Sequence, residues 1–524
     1  REGSPREGSP RGPRLSAWPA GSLLDGPVAC MAVDSDTGLA AVASHTGAVV
    51  LIEPGEEAEE GGTIGGEGGG GQRAGSDKSG GGSAGRICFR GSHRGCEALA
   101  FATCVPPSAD SHARAHGALL SSGADGAVRS WSLERRRSDA APAAAPLHSL
   151  LLSGEHSDRT NGRPTVQAVA SCRGDGAAAD DAATRGRAAG GAAAACGRSV
   201  VPLHVSRAGL LSASSPCAPL PSTVRALAYS PRGEALAAGS MHSGVFLWLP
   251  PPPPPEPSPP AIASTSFSPA AAAAPPPPPS LRLPCTDEIV SLSLSSASSG
   301  ALWCAARSAG RLARVWLAAP APRCSSLAAD AADPPRTRDA GTRDAGPPMT
   351  FGGLSVAGAH GECHLSLHAG GRAGESRQIG SPELLVLADG ARGAVRWDLS
   401  GGACAADALG VDSALASRIG GSATATSPTV SCVCLSPSAR WVACGQTDGT
   451  VLIAPSHGSA TEHVPHEVRL SGADAICRLA WVRLGSSGGA DESQSAVLWA
   501  VTERGGLFGL RLRGWANEQT ACSK

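Results

Sequence analysis

The sequence predicts an all-β chain folded as a single β-propeller of seven or eight units, with long low-complexity insertions. Three observations predict it: a recurring three-strand phrase, the spacing of its tryptophans, and the composition of the stretches between its strands. The phrase is an apolar alternating strand, a polar turn, a short Ala/Leu/Val strand ending near Gly or Ser, a tight turn, and a third apolar strand that often ends in Trp. Its clearest copy is STVRALAYSPRGEALAAGSMHSGVFLWLP at 222–250, with strands at 224–229, 235–239 and 245–249. Further copies lie at 28–52, 96–133, 288–317, 362–399, 429–453 and 475–512, which makes seven.

Spacing supplies an eighth. From Trp131 to Trp248 is 117 residues, against 68 from Trp248 to Trp316 and 81 from Trp316 to Trp397. The longer interval holds TVQAVASCRGDG at 165–176, GGAAAACGRSVVPLHV at 190–205, and LLSAS as a fourth strand. Short apolar segments in repeated triplets cannot bury their faces alone, so they stack radially into a closed disc. An open disc would expose a sheet edge. The last copy stops at a third strand near Leu512, and RLSAWP at 14–19 is the segment predicted to complete it and fasten the two ends of the chain.

The domain reading follows: a disordered tail at 1–13, the propeller at 14–514, and a tail at 515–524. Insertions are placed at about 54–85, 134–146, 176–189, 250–280, 318–348 and 401–427. Extra length in exposed connections costs little. They are acidic then Gly-rich at 53–85, and proline-rich at 250–255 and 275–279, where polyproline II helix is expected. The charge is nearly balanced, 44 Lys and Arg against 45 Asp and Glu, so nothing sequence-wide attracts nucleic acid or anionic lipid. The 17 cysteines are scattered without C-x-x-C spacing and read as small apolar residues of a reduced, intracellular protein, cytoplasmic or nuclear. No apolar run approaches the ~18 residues of a membrane span. The tail REGSPREGSPRGPR has no secretory h-region, and its lack of an initiator Met reads as a fragment or mid-gene start.

The repeated phrase resembles the WD-repeat family, in which each unit is a four-stranded blade around a central axis. The resemblance implies a hydrogen-bonded set in the second copy: a buried His before the first strand, a Ser on the second, an Asp in the following turn and a Trp on the third. These positions are His93, Ser121, Asp125 and Trp131. Their expected role is structural, because a buried Asp needs donors to offset its desolvation. Departures are many. The Trp-Asp pair occurs once, at Trp397–Asp398, and around Asp448 the Ser and Trp positions hold Cys444 and Ala454.

Chemical motifs do not rise above composition. The G-x-S-x-G match around Ser83 and the GEGGGG tract at 66–71 lie in Gly/Ser sequence without the flanking strand and helix each would need. Cys363, His364 and His368 cannot share an ion directly, since the two histidines on one strand stand ~13 Å apart. Cys432 and Cys434 share a strand face and read as packing. The sequence therefore predicts a non-catalytic scaffold in a multiprotein complex, with proteins as partners, no cofactor, no metal and no small-molecule substrate. Arg225, His242 and Arg396 are its candidate partner contacts. Two rivals stand beside it: a propeller enzyme with carboxylates or histidines at the central funnel, and a ubiquitin-ligase substrate receptor. Family members in that second role often carry Trp-Asp-x-Arg, where this chain reads Trp397-Asp398-Leu399-Ser400.

Overall fold

A computed structural model describes residues 14–22, 24–34, 37–54, 86–103, 117–133, 144–152, 165–171, 191–206, 208–230, 233, 235–249, 278–283, 285–296, 302–308, 313–319, 349–350, 366–368, 384–389, 393–398, 405–408, 430–436, 441–455, 466–470, 474–483 and 496–513. Of these, the side chains of 14–22, most of 302–408 and 511–513 lie outside the description. The described strands form eight four-stranded antiparallel sheets.

Blade 1 is β2 (Val28–Val33), β3 (Ala40–Ser44), β4 (Ala48–Glu53) and β5 (Arg86–Ser92), and blade 2 is β6 (Cys96–Thr103), β7 (Gly117–Gly123), β8 (Ala127–Ser132) and β9 (His148–Leu151). Blade 3 is β10 (Val166–Ser171), β11 (Gly191–Cys196), β12 (Ser199–Val205) and β13 (Leu211–Ala213), and blade 4 is β14 (Val224–Tyr229), β15 (Leu236–Ser240), β16 (Val245–Trp248) and β17 (Leu281–Leu283). Blade 5 is β18 (Ile289–Ser296), β19 (Leu302–Ser308), β20 (Ala313–Ala319) and β21 (Met349–Thr350), and blade 6 is β22 (Ser366–His368), β23 (Leu384–Asp389), β24 (Gly393–Asp398) and β25 (Ala405–Ala408). Blade 7 is β26 (Val430–Leu435), β27 (Trp441–Gln446), β28 (Thr450–Pro455) and β29 (His466–Arg469). Blade 8 is β30 (Ile476–Arg483), β31 (Ala496–Thr502) and β32 (Gly506–Arg513), completed by β1 (Arg14–Ser22) from the other end of the chain.

The first strands line the axis. Each touches the next from β2 to β6, β10, β14, β18 and β22, blade 6 meets blade 7 through β23 and β26, and β26 touches β30, which returns to β2. The ring is thus closed. Its seam is fastened by β1, which pairs with β32 from Arg14 opposite Arg513 to Ser22 opposite Gly506. Two bonds cross from blade 8 to blade 1: Arg478 Nη2 donates to the Ala29 carbonyl at 2.9 Å, partly buried, and Trp499 Nε1 to the Gly38 carbonyl at 3.2 Å, buried. Burial lowers the Arg478 guanidinium to about 10, against a raising influence from Cys30.

The core lies between blades rather than in one centre. Leu51, Phe89, Leu119 and Trp131 fill the layer between blades 1 and 2, and Ile476, Leu479, Leu498 and Ile453 fill that between blades 7 and 8. A middle strand is therefore covered on both faces, so AAVAS (β3), GAAAAC (β11) and LAAGS (β15) read as continuous small apolar runs instead of alternating ones. Outer strands such as HSLL (β9) alternate half-buried and exposed.

Several stretches read as insertions contain structure. β25 falls inside 401–427, Ala318 and Ala319 belong to β20, and Ala144 N donates to the Arg90 carbonyl at 2.7 Å, tying 144–146 to blade 1. Short Ala-rich pairing segments carry no compositional mark that separates them from a linker. The remainder of those insertions, apart from Pro54 and 278–280, and both tails lie outside the described residues.

Candidate functional site

His93 sits between β5 and β6. Its N–H donates to the Gly47 carbonyl at 2.7 Å, which seats it against the turn of blade 1. Gly123, at the end of β7, makes room for the ring, since a Cβ there would stand 2.6 Å from His93 Nε2. His93 Nδ1 is 2.7 Å from Ser121 Oγ, and Nε2 is 3.0 Å from Asp125 Oδ1. Trp131 Nε1 donates to Ser121 Oγ at 2.8 Å. Asp125 Oδ1 also accepts the Ala127 N–H at 3.0 Å, and Oδ2 takes Arg129 Nη2 at 2.6 Å. A neutral His93 satisfies every donor: Trp131 to Ser121, Ser121 to Nδ1, and Nε2 to Asp125.

Charge agrees with that assignment. Burial pushes the His93 imidazole below its ordinary 6.5, with the Asp125 bond pulling upward and Arg129 adding to the lowering. Burial alone would raise Asp125, but the bonds from His93 and the Ala127 N–H, with the His93 and Arg129 charges, hold its carboxyl below the ordinary 3.8. The order Ser–His–Asp invites a hydrolytic reading. Ser121 and His93 have no exposed surface, however, and Ser121 Oγ is engaged by the tryptophan, so no substrate can reach it. Trp131 is itself fully buried and stacks on Phe89 at 5.8 Å between ring centres.

The same turn is held differently elsewhere, a device the sequence reading missed. The Ala127 N–H that begins β8 has counterparts in Thr450, Ala48 and Gly506. Asp448 accepts from Thr450 at 3.0 Å as Asp125 does, whereas Ser44 accepts from Ala48 at 3.0 Å and Thr502 from Gly506 at 3.0 Å. One donor thus receives its oxygen either from an Asp two residues before it or from a hydroxyl four before it. The visible signal was a Ser or Thr ending the second strand. Gly126 (φ 80°) and Gly47 (φ 102°) close these turns in the left-handed region, where a side chain would be strained.

A second recurring feature rings the axis. In seven blades the pairing of the first and second strands slips between the first and third residues of the first strand, leaving Ala29, Glu97, Gln167, Arg225, Val290, Ser431 and Cys477 at the bulge. Antiparallel order puts these bulges on the face that carries the second-to-third-strand turns and the blade-to-blade connections. In blades 1 to 5 and 8 those connections are mostly short, such as 45–47, 93–95, 124–126, 241–244 and 503–505, while connections as long as 54–85 and 249–280 leave from the opposite face. In three blades the bulge residue is polar between apolar ones, VRA, CEA and VQA, but Ala29, Val290 and Cys477 occupy the same position in others, so no residue type marks it.

Of the candidate contacts, Arg225 occupies a bulge, with its Nε 3.1 Å from Glu288 Oε1. His242 is exposed in the turn between β15 and β16, its N–H donating to Ser222 Oγ at 3.2 Å, so the fold brings both to the short-turn face of blade 4. Arg396 lies within β24, opposite Val386 and Asp407, and its side chain is outside the described residues.

Below the bulges, a cavity of about 490 Å³ is lined by Ala32, Val33, Leu99, Ala100, Phe101, Val169, Ala170, Ser171, Ala228, Tyr229, Leu292, Ser293 and Leu294. Ser171 Oγ donates to the Phe101 carbonyl. Among the described residues, no carboxylate or histidine lines it. Among the described residues, no three His, Cys, Asp or Glu converge as metal ligands, and no helix is long and apolar enough to cross a membrane. Cys432 and Cys434 are buried, which drives both thiols upward, away from the thiolate a metal requires. Ser83, the Gly tract at 66–71, Cys363 and His364 lie outside the described residues, as does the His368 side chain.

The family model for the WD domain, G-beta repeat, matches residues 419–453, which include the first two strands of blade 7 and most of the third. The chain carries a WD repeat in a propeller fold. Among solved structures it is similar to Sqt1 of Chaetomium thermophilum, at TM-score 0.50 and 12% identity over 95% of this chain and 97% of that one. It is also similar to Sqt1 of Saccharomyces cerevisiae, at TM-score 0.48 and 8% identity over 93% and 96% of the two chains. A third structure, Chaetomium thermophilum Sqt1 bound to the N-terminus of the ribosomal protein L10, gives TM-score 0.49 and 12% identity over 93% and 97%. No curated protein matches the chain in sequence. The matched WD repeat is the blade with Cys444 and Ala454 in place of Ser121 and Trp131, so the full polar set is not what marks a blade.

Proposed function

We infer that this WD-repeat propeller is a non-catalytic interaction scaffold, and that its short-turn face reads protein partners around the mouth of the axis. One observation carries the reading: the repeated bulge sets chemically different side chains, Glu97, Gln167, Arg225 and Val290 among them, around one opening. A rigid ring with a varied polar and apolar rim discriminates between protein surfaces by complementarity. Among the described residues the lining beneath carries no carboxylate, histidine or cysteine, and its Ser171 hydroxyl is bonded to the Phe101 carbonyl. The network of His93, Ser121, Asp125 and Trp131 serves this surface by holding two turns in place, and Arg225 and His242 belong to the surface itself. The eleven cysteines among the described residues are thiols outside any disulfide, which suits the cytoplasm or nucleus.

Quantitative affinity capture tests the reading. The double variant E97K/R225E should lose captured proteins at least tenfold relative to the unaltered chain while keeping its melting temperature within a few degrees. An unchanged set of captured proteins would remove the short-turn face as the site.

A further inference from the structure

Three of the four large hydrophobic residues exposed among the described ones gather on one stretch of rim: Leu147 at 46%, Leu151 at 69% and Leu210 at 51%. The fourth, Val290, is at the axis mouth. Leu147 precedes β9, and Leu210 precedes β13 of the next blade. Leu147 packs on Gly209, the residue before Leu210: a Cβ on Gly209 would come 2.4 Å from Leu147 Cδ1. The Leu211 N–H donates to His148 Nδ1 at 3.2 Å, which locks the outer strands of blades 2 and 3 together.

Among the described residues, β9 is also an open edge, the last strand of its sheet. Its Leu152 N–H donates inward to the Gly126 carbonyl at 3.0 Å, which fixes the alternation of the strand. Ser149 and Leu151, opposite Arg129 and Ala127, are then the positions whose N–H and C=O point away from the sheet. Edges of this kind are normally blunted by charge. The outer strands of blades 1, 4 and 7 follow that rule, with exposed Arg90 on β5, Arg282 on β17, and Glu467 and Arg469 on β29, while β13 and β21 are uncharged but only three and two residues long. β5 is in addition bonded at Arg90 by Ala144. β9 reads His-Ser-Leu-Leu and carries no such charge.

We propose that the β9 edge is a second docking surface, which takes an extended, uncharged, apolar segment of a partner protein by strand addition. The outward backbone groups of Ser149 and Leu151 define the occupant as a strand, and Leu147, Leu151 and Leu210 define its side chains as apolar. A second copy of this rigid disc is a poor occupant. Four residues of edge and three leucines fall well short of the roughly 800 Å² per partner that a stable interface needs. A flexible segment meets the edge without that demand, and the surface is separate from the axis mouth.

The test uses the full chain and a fluorescein-labelled peptide of alternating Thr and Val with a lysine at each end. Fluorescence anisotropy should show saturable binding that persists in 0.5 M salt, with the Ser149 and Leu151 amides slowed in hydrogen exchange. Ser149→Pro removes only an outward N–H and should weaken binding at least tenfold, as should Leu151→Lys, while R225E leaves it unchanged. If Leu151→Lys disturbs folding, Leu151→Ser supplies the same comparison. Equal binding to S149P, or no binding at millimolar peptide, overturns the proposal. So does light scattering that shows a dimer abolished by Leu151→Lys, which would make a second copy the occupant.

Discussion

Blades 2 and 3 stand side by side, and Leu120 and Val128 of one share a core with Ala194 and Leu203 of the other, yet they are held by opposite means. Blade 2 relies on side chains: a buried Trp, Ser, His and Asp joined in one chain of hydrogen bonds. Blade 3 relies on main chain and on tight packing. Its β11 is a run of alanines with at most 1% exposure, and the segment leading to blade 4 is fastened by Cys217 N to Val200 O at 2.8 Å, Leu220 N to Arg198 O at 2.8 Å and Val224 N to Gly197 O at 2.8 Å. Arg198 Nε adds a bond to the Leu220 carbonyl at 2.6 Å. The polar set is thus one way to fix a turn and its neighbour, and a loop that can bond through its backbone is another.

The largest effect separating the two blades is expected at Trp131. Trp131→Ala empties a fully buried site and should cost about 3–5 kcal/mol in urea unfolding, whereas Trp131→Phe, which chiefly loses the donor, should cost about 1–2 kcal/mol. Blade 3 should fail the opposite way: Ala194→Leu overpacks a site with no exposed surface and should cost about 1–3 kcal/mol, with Ala194→Gly milder. Equal tolerance of both blades to enlargement would erase the contrast.

Acid sharpens it further. His93 in the folded chain binds its proton at a lower pH than the ordinary 6.5 of an unfolded chain, so below 6.5 the unfolded state holds more protons. Stability should therefore decline as pH falls from 6.5 toward the folded value and then level. Asp125, held below 3.8, adds a second decline beneath that pH. Denaturation curves taken between pH 7 and 5 should show the first slope in the unaltered chain and not in His93→Gln. The smallest effect belongs to the turn oxygens. Ser44→Ala should cost about 0.5–1.5 kcal/mol, and adding Thr46→Asp, which places a carboxylate two residues before Ala48, should restore most of it. Failure of that rescue would show that the two capping positions are not interchangeable.

What was legible follows from burial. Middle strands are covered on both sides and first strands are buried or half-buried at the axis, so β11, β15 and β14 stood out as apolar runs between turns. Two outer strands stayed hidden: β17 has three residues, after the insertion at 250–280, and β25 has four in Ala-rich sequence. No local pattern distinguishes them. His93, Ser121, Asp125 and Trp131 could be placed one by one through the WD-repeat resemblance, because their spacing around the turn is local. The bulge positions could not, since a register slip depends on the partner strand, and Glu288 beside Arg225 could be paired only once the blades were assembled.

Everything said of the short-turn face requires one closed ring, and amide hydrogen exchange on the intact chain tests that ring most directly. β32 bonds to β31 on one side and β1 on the other, so its consecutive amides from Phe508 to Arg513 should all exchange slowly. If alternate amides of β32 exchange as fast as those at the free edge of β9, the N-terminal strand is not in place and the ring is open.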